Sequence, residues 1–398
     1  MIPVGTNLNL KRFPWVTIIL LFVNWLLFIT FSRDFYSIDF WLTRYLYAVP
    51  GEQYPWQLVT SMFFHVSLLH ILGNSLFLLV FGPPAEDKLG WRDYLFLYFF
   101  TGISANLLHG MMSGLFLRDE LFIPSLGASG AISGVMGIYL YRCYYSKIKL
   151  MFHLLLPYRI KIPGYIILPL WFAQDFMGGI DSIRGIGRNI AFWAHVGGFA
   201  AGFGASKYLQ YEIQAKKEKL EFVAENTLKT FTGNGEGIEA AETLLKMNPD
   251  NPELHLGLAE AKSRWRASLE GKAHYEKAIK LLLEKEPQKA MEVFIEYWGK
   301  YLNVLEAKYQ VRLSLLLSRN GEIDLSAHTL QTLINSNHPL DLHMEEAYLS
   351  LGKIYREQLN RDDLARYVYE TYLLKFPESA HKQFIERILG STLERGIA

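Results

Sequence analysis

Apolar runs of bilayer-spanning length crowd the first half of this chain, and they restrict what it can become more than any other feature. A hydrocarbon core about 30 Å thick needs about 20 apolar residues per helix, and every backbone N–H and C=O inside it must be bonded within the segment. A helical bundle is therefore expected there. The runs fall at about 13–31, 56–81, 94–117, 125–145 and 162–177, with a last segment running from about Asn189. The first, preceded by Lys11 and Arg12, is too long for a cleaved signal, lacks a clear small-residue cleavage site, and reads as a membrane span. Gly82-Pro83-Pro84 is expected to stop the second helix, because proline cannot continue one. Pro163 and Pro169 break the fifth, which suits a helix held less rigidly than its neighbours.

The chain has 398 residues, with 40 Lys and Arg against 39 Asp and Glu, but the charges are unevenly placed. With six spans and the N-terminus inside, Lys11, Arg12, Lys88, Arg92, the cluster from Arg142 to Lys161 and that from Lys207 to Lys219 all face the cytoplasm. The opposite loops keep mainly Arg33, Arg44, Arg118, Arg184 and Arg188, so the bias follows the positive-inside rule and puts both termini in the cytoplasm. Between Ser32 and Pro55, Arg33, Asp34, Asp39 and Arg44 mix with Phe40, Trp41 and Tyr45, as in an interfacial loop. No basic stripe interleaved with aromatics occurs, which argues against a nucleic-acid partner. Cys143 is the only cysteine; it excludes an internal disulfide and a cysteine-rich metal site, and reads as a packing thiol at a helix end.

Chemistry enters through a few polar residues within apolar surroundings. Pro124-Ser125-Leu126-Gly127-Ala128-Ser129-Gly130-Ala131-Ile132-Ser133-Gly134 offers Ser129 as a nucleophile whose small neighbours leave its hydroxyl reachable. Small residues at such spacings also serve close helix packing, so Gly127, Gly130, Gly134, Gly198 and Gly202 are expected at helix contacts. His195, within Asn189-Ile190-Ala191-Phe192-Trp193-Ala194-His195-Val196-Gly197-Gly198, puts an imidazole in a membrane helix, where a polar group is costly and usually functional. His70 and Asn74 stand four residues apart and share a helix face. His65 reads as an interfacial, hydrogen-bonded histidine, and His109 as structural or interfacial.

Taken together, Gly127-Ala128-Ser129-Gly130, the His70-to-Asn74 spacing, and Ala194-His195-Val196-Gly197-Gly198 running on to Gly202 resemble the motif set of rhomboid intramembrane serine proteases. The resemblance covers the N-terminal half. It implies a polytopic six-helix transmembrane bundle, peptide-bond hydrolysis by a Ser129–His195 dyad without an acidic third member, and no cofactor or metal. It further implies an oxyanion site made by the Ser129 backbone amide, His70 and Asn74, and a lateral substrate gate formed by the fifth span with Trp171 and Phe172. Gly178-Gly179 and Gly185-Ile186-Gly187 would then lend mobility or simply form turns. The family's adjacent Trp-Arg pair in the first loop is replaced by separated Trp41 and Arg44; Trp91-Arg92 lies between later spans. Expected substrates are transmembrane segments, weak in helix near their outer end, within the lipid bilayer of the cell membrane.

Competing chemistries lack their residues. No His-Glu-x-x-His helix is present for a zinc protease, and Asp175 and Asp181 sit at or beyond the end of one short span rather than facing each other across two. An inactive rhomboid-like scaffold that binds client helices, or a proton-relaying transporter, is the alternative. After about Gln210 the chain turns to amphipathic helices punctuated by Gly233-Asn234-Gly235, Asn248-Pro249-Asp250-Asn251-Pro252, Glu286-Pro287, His338-Pro339 and Phe376-Pro377. Segments such as Leu349 to Tyr355 and Ala365 to Glu370 resemble tetratricopeptide helices. The expected organisation is therefore all-α: a membrane domain over residues 1–210 and a soluble, cytoplasmic α-helical repeat domain over 211–398, whose concave face takes a protein or peptide partner.

Overall fold

The structure, a computed structural model, describes residues 2–31, 45–151, 159–186, 190–228, 235–336 and 338–395. The loop residues Arg33, Asp34, Asp39, Phe40, Trp41 and Arg44, the Leu154-Leu155-Leu156-Pro157 stretch, Gly187, Arg188, Asn189 and Gly233-Asn234 lie outside them. The chain forms two compact units, Met1–Lys219 and Leu220–Ala398.

In the first unit, β1 (Ile2–Thr6) precedes α1 (Trp15–Phe31), α2 (Leu68–Leu89), α3 (Trp91–Phe116) and α4 (Ser129–Arg142). Then come β2 (Lys147–Met151), β3 (Arg159–Pro163), α5 (Gly164–Ile183) and α6 (Phe192–Tyr208), and α7 (Glu212–Thr227) runs into the second unit. By length and composition, α2 and α3 are long and apolar enough to cross a membrane; α1 is apolar but has 17 residues.

The unit is mostly helical, yet not all-α: β1, β2 and β3 form a three-stranded antiparallel sheet in that order. Lys147-Ile148-Lys149-Leu150 and Arg159-Ile160-Lys161-Ile162 alternate charge with apolar side chain, the period of a strand. Ile148 and Leu150 are wholly buried. Lys147, Lys149, Arg159 and Lys161, expected in a loop, alternate with these apolar residues along the two strands.

The second helix also departs from expectation. It starts at Leu68, where Ser67 Oγ caps it by accepting the His70 N–H at 3.2 Å, and Gln57–Thr60 and Ser61–Phe63 form separate short turns. It continues through Pro83 and Pro84 to Leu89. Tertiary contacts hold the helix where local propensity would end it. A Cβ on Gly82 would lie 2.8 Å from both Thr17 Cγ2 and the Tyr94 hydroxyl, so only glycine admits these neighbours. One turn on, the buried Glu86 carboxylate accepts the backbone N–H groups of Val16 and Thr17 at 2.8 Å each and the Thr17 hydroxyl, satisfying open donors at the start of α1.

Where the backbones of apolar helices approach closely, small residues are needed at the contact. The tightest such contact is α4 on α6. A Cβ on Gly198 would lie 1.9 Å from the Gly130 carbonyl oxygen, and one on Gly202 2.0 Å from that of Gly134. Gly130 and Gly134 themselves turn their hydrogen faces toward Ala105 and Thr101 of α3, whereas Gly137 meets the Phe199 backbone of α6. The small residues of α4 thus serve two neighbours, α3 and α6.

The second unit is a succession of helices: α8 (Gly235–Met247), α9 (Pro252–Lys262), α10 (Leu269–Lys285), α11 (Pro287–Tyr301), α12 (Ala307–Arg319), α13 (Ile323–Ile334), α14 (Leu342–Glu357), α15 (Asp362–Lys375) and α16 (Lys382–Arg395). Each packs on the next, around buried aromatics such as Tyr275, Phe294, Tyr297, Tyr348 and Tyr372. Asn251, Ser268 and Asp341 cap α9, α10 and α14 through their side chains.

Candidate active site

Ser129 is the first residue of α4, which starts four residues later than the expected 125, because the preceding segment is pinned in another conformation. Ser125 exchanges two backbone hydrogen bonds with Ala48, and the Gly127 N–H donates to the Ser61 carbonyl at 2.9 Å. Gly127 has φ +122°, and a Cβ there would lie 2.7 Å from His70 Cε1 and 2.8 Å from His70 Nε2. Its role is to let the His70 ring close over the start of α4, and it is not a helix-packing glycine. At the first helical position the Ser129 amide belongs to the donors that no intrahelical carbonyl satisfies, at the positive end of the helix dipole.

His195 projects from the first turn of α6, three residues before Gly198. Because Gly198 sits on the backbone of Gly130, the two helices meet beside the two polar side chains, and His195 Nε2 lies 2.9 Å from Ser129 Oγ. His70 and Asn74, one turn apart on α2, line the same cavity as Ser129 and His195. Asn74 Nδ2 is buried and meets no protein acceptor, a donor left open toward that cavity. The cavity holds about 700 Å³, and Phe77, Met136 and Trp171 supply much of its apolar wall. Trp171 packs on Phe77 and Phe81 at ring-centroid separations of 5.4 and 6.2 Å, so aromatic contacts join α5 to α2 at the cavity's edge.

One residue enters that sequence reasoning set aside. The expected fifth span ends at Met177, whereas α5 runs from Gly164 to Ile183 and carries Asp175 and Asp181 inside it. Asp175 Oδ2 stands 3.3 Å from His195 Nδ1, the ring nitrogen opposite the one facing Ser129. Nor do Gly178 and Gly179 form a hinge or turn: they lie within α5 and receive the rings of Phe192 and Trp193, where a Cβ would come within 2.6 and 2.9 Å. His65 is buried with its ring edge-on to His70 at 5.1 Å. His109 is buried on α3 with Nδ1 unpartnered, and Cys143 is a buried free thiol at the end of α4. Among the described residues no cluster of three or more metal-ligating side chains occurs.

Residues 52–212 match the family model of the Rhomboid domain. The chain is 30% identical over 213 residues to the putative rhomboid protease YdcA of Bacillus subtilis, an overlap covering 53% of this chain and 94% of that protein. It is 31% identical over 156 residues to RHOMBOID-like protein 4 of Arabidopsis thaliana, which is 39% of this chain and 34% of the plant protein. Rhomboid-like protease 2 of Toxoplasma gondii is 27% identical over 164 residues, 40% of this chain and 50% of the parasite protein. The chain thus spans nearly all of the bacterial relative and half or less of the other two, and the matched region holds every side chain of the site just described. On a 30% identity that extends over almost the entire bacterial protein, this chain belongs to the rhomboid family and is a membrane protein.

Proposed function

We propose that this protein is an intramembrane serine endopeptidase that hydrolyses peptide bonds in transmembrane segments of other proteins, using Ser129 as nucleophile and His195 as general base and acid. The observation that carries the reading is the 2.9 Å contact between Ser129 Oγ and His195 Nε2 inside a cavity that Asn74 and His70 also line. The Ser129 hydroxyl passes its proton to Nε2 as the oxygen attacks the scissile carbonyl. The oxyanion so formed is met by the Ser129 amide, Asn74 Nδ2 and a ring N–H of His70. The proton on Nε2 then goes to the leaving amine, and water, deprotonated by His195, releases the acyl group as a carboxylate.

In this reading α1 to α6 are the six spans, with N- and C-termini on the cytoplasmic side of the cell membrane. Trp171 and Phe172 on α5 form the lateral gate. The test is turnover of a labelled membrane-span peptide by the purified protein in detergent, together with mass-spectrometric mapping of a fluorophosphonate adduct. Cleavage and an adduct on Ser129 support a protease; a protein that captures the peptide but neither cleaves nor reacts is a scaffold for client helices. Asn74→Ala is expected to lower kcat about a hundredfold with little change in KM, because the amide acts on charge that exists only in the transition state.

The second unit is a tetratricopeptide-like repeat domain for a cytoplasmic protein or peptide. Its helix pairs begin at Gly235, Leu269, Ala307 and Leu342, steps close to the about 34 residues of that repeat. A chain ending at Leu228 is expected to keep peptide cleavage within about threefold of the full chain, since each unit has its own core. Loss of all cleavage on truncation would show the two halves to be one catalytic unit.

A further inference from the structure

Nucleophile activation by an imidazole fixes what must lie on each side of the ring. Nε2 has to be bare to take the Ser129 proton, so the hydrogen of the neutral ring resides on Nδ1, and that N–H needs an acceptor. Once the proton has moved the ring is a cation, and its charge needs a counter-ion in surroundings poorer in water than bulk solvent. The structure supplies one group for both requirements. Asp175 Oδ2 lies 3.3 Å from Nδ1 while Ser129 Oγ lies 2.9 Å from Nε2, so hydroxyl, imidazole and carboxylate form one chain.

The placement of Asp175 is built, not incidental. It lies one helical turn beyond Trp171 on α5, and both line the cavity. Phe172 packs on Phe199 at 4.8 Å and Phe176 on Trp193 at 5.9 Å, so the residues around Asp175 are fastened to the same α6 that carries His195. Gly178 and Gly179 draw the next turn onto Phe192 and Trp193. Among the described residues no Lys or Arg forms a salt bridge with Asp175, whereas Asp181 pairs with Arg184 at 3.6 Å. A carboxylate on a helix of the membrane unit that faces an imidazole is the kind of placement that marks function.

On the protease reading above, we infer that Asp175 is a positioning residue of the reaction: its carboxylate holds the Nδ1–H tautomer of His195 and stabilises the imidazolium formed during acyl transfer. The dyad becomes a relay of three groups, the third delivered by α5. In this role Asp175 acts through His195 rather than on the substrate itself. The 3.3 Å separation is longer than a charge-assisted hydrogen bond of about 2.8 Å, and such contacts tighten when substrate binds. Its contribution is therefore expected below the about 10⁴-fold of a fully engaged triad carboxylate.

Wild type, Asp175→Asn, Asp175→Ala, Asp175→Glu and Ser129→Ala are compared in detergent for kcat and KM on a labelled membrane-span peptide. The second-order rate of Ser129 with a small fluorophosphonate and the melting temperature are read alongside. Asp175→Asn is expected to lower both kcat and the fluorophosphonate rate by about ten- to a hundredfold, with KM within about twofold of wild type. Asp175→Glu retains more of both rates than Asp175→Asn, and added formate restores part of the rate lost in Asp175→Ala. Unchanged rates in Asp175→Asn overturn the inference. So does a loss confined to KM with the fluorophosphonate rate intact, which assigns Asp175 to substrate admission, or an equal loss in all three variants that tracks lower melting without formate rescue. In each of these cases a wild type that cleaves beside an inert Ser129→Ala leaves the protease reading standing. A wild type that neither cleaves nor reacts with the fluorophosphonate removes that reading and the role of Asp175 together.

Discussion

Alanine at Ser129 or at His195 is expected to lower turnover of a membrane-span peptide by about four to six orders of magnitude, and the double variant to be no worse than either single one. The two side chains act as a unit: without the alcohol there is nothing to acylate, and without the imidazole its proton has no acceptor at 2.9 Å. Neither change should unfold the protein. Both side chains are half-buried against a cavity, and removing them empties space that is already open, so melting in detergent should move by no more than about 1 kcal/mol of stability. Capture of the peptide should survive in both variants, since the apolar wall of Phe77, Met136 and Trp171 is untouched. Turnover by Ser129→Ala equal to that of wild type would reject a serine mechanism outright.

The serine and histidine were legible because each is a polar residue in an apolar run with small neighbours, a combination costly in lipid without a use. Asn74 was legible from its spacing to His70. Asp175 was not, for a local reason. Reading Gly178-Gly179 as a flexible break ends the fifth helix at Met177 and leaves Asp175 at its rim. In the folded chain those glycines are where Phe192 and Trp193 press their rings against α5, so the helix runs on to Ile183 and the carboxylate reaches the histidine. Gly82-Pro83-Pro84 misled in the same way. The stop signal is sound for an isolated helix, but Glu86 and Thr17 hold the helix across it through contacts about 70 residues apart in sequence. The sheet was hidden by its own charge. Lys147, Lys149, Arg159 and Lys161 suggest a basic loop so strongly that the alternation of Ile148, Leu150, Ile160 and Ile162 between them is overlooked.

Alanine at Gly198 is expected to cut kcat by about a hundredfold or more and to lower the melting temperature, although Gly198 touches no substrate. Its Cβ would sit 1.9 Å from the Gly130 carbonyl oxygen, which is backbone and has no side-chain freedom with which to yield. Relief requires α6 to move away from α4 by about the 1 Å or more by which that separation falls short of van der Waals contact. Gly130 is the residue after Ser129, and Gly198 lies one turn from His195, so the movement opens the hydrogen bond where it can least be spared. Valine at the same place should be worse, and Gly202→Ala, with its Cβ 2.0 Å from the Gly134 oxygen, should lower stability while costing less activity because it lies a further turn from the site. Gly204→Ala on the same helix is the control, since nothing stands within 4 Å of the added carbon, and it should behave as wild type. Thermal melts and peptide turnover of the four variants decide the matter: if Gly198→Ala matches Gly204→Ala in both, close approach of the two backbones is not what brings the alcohol to the imidazole.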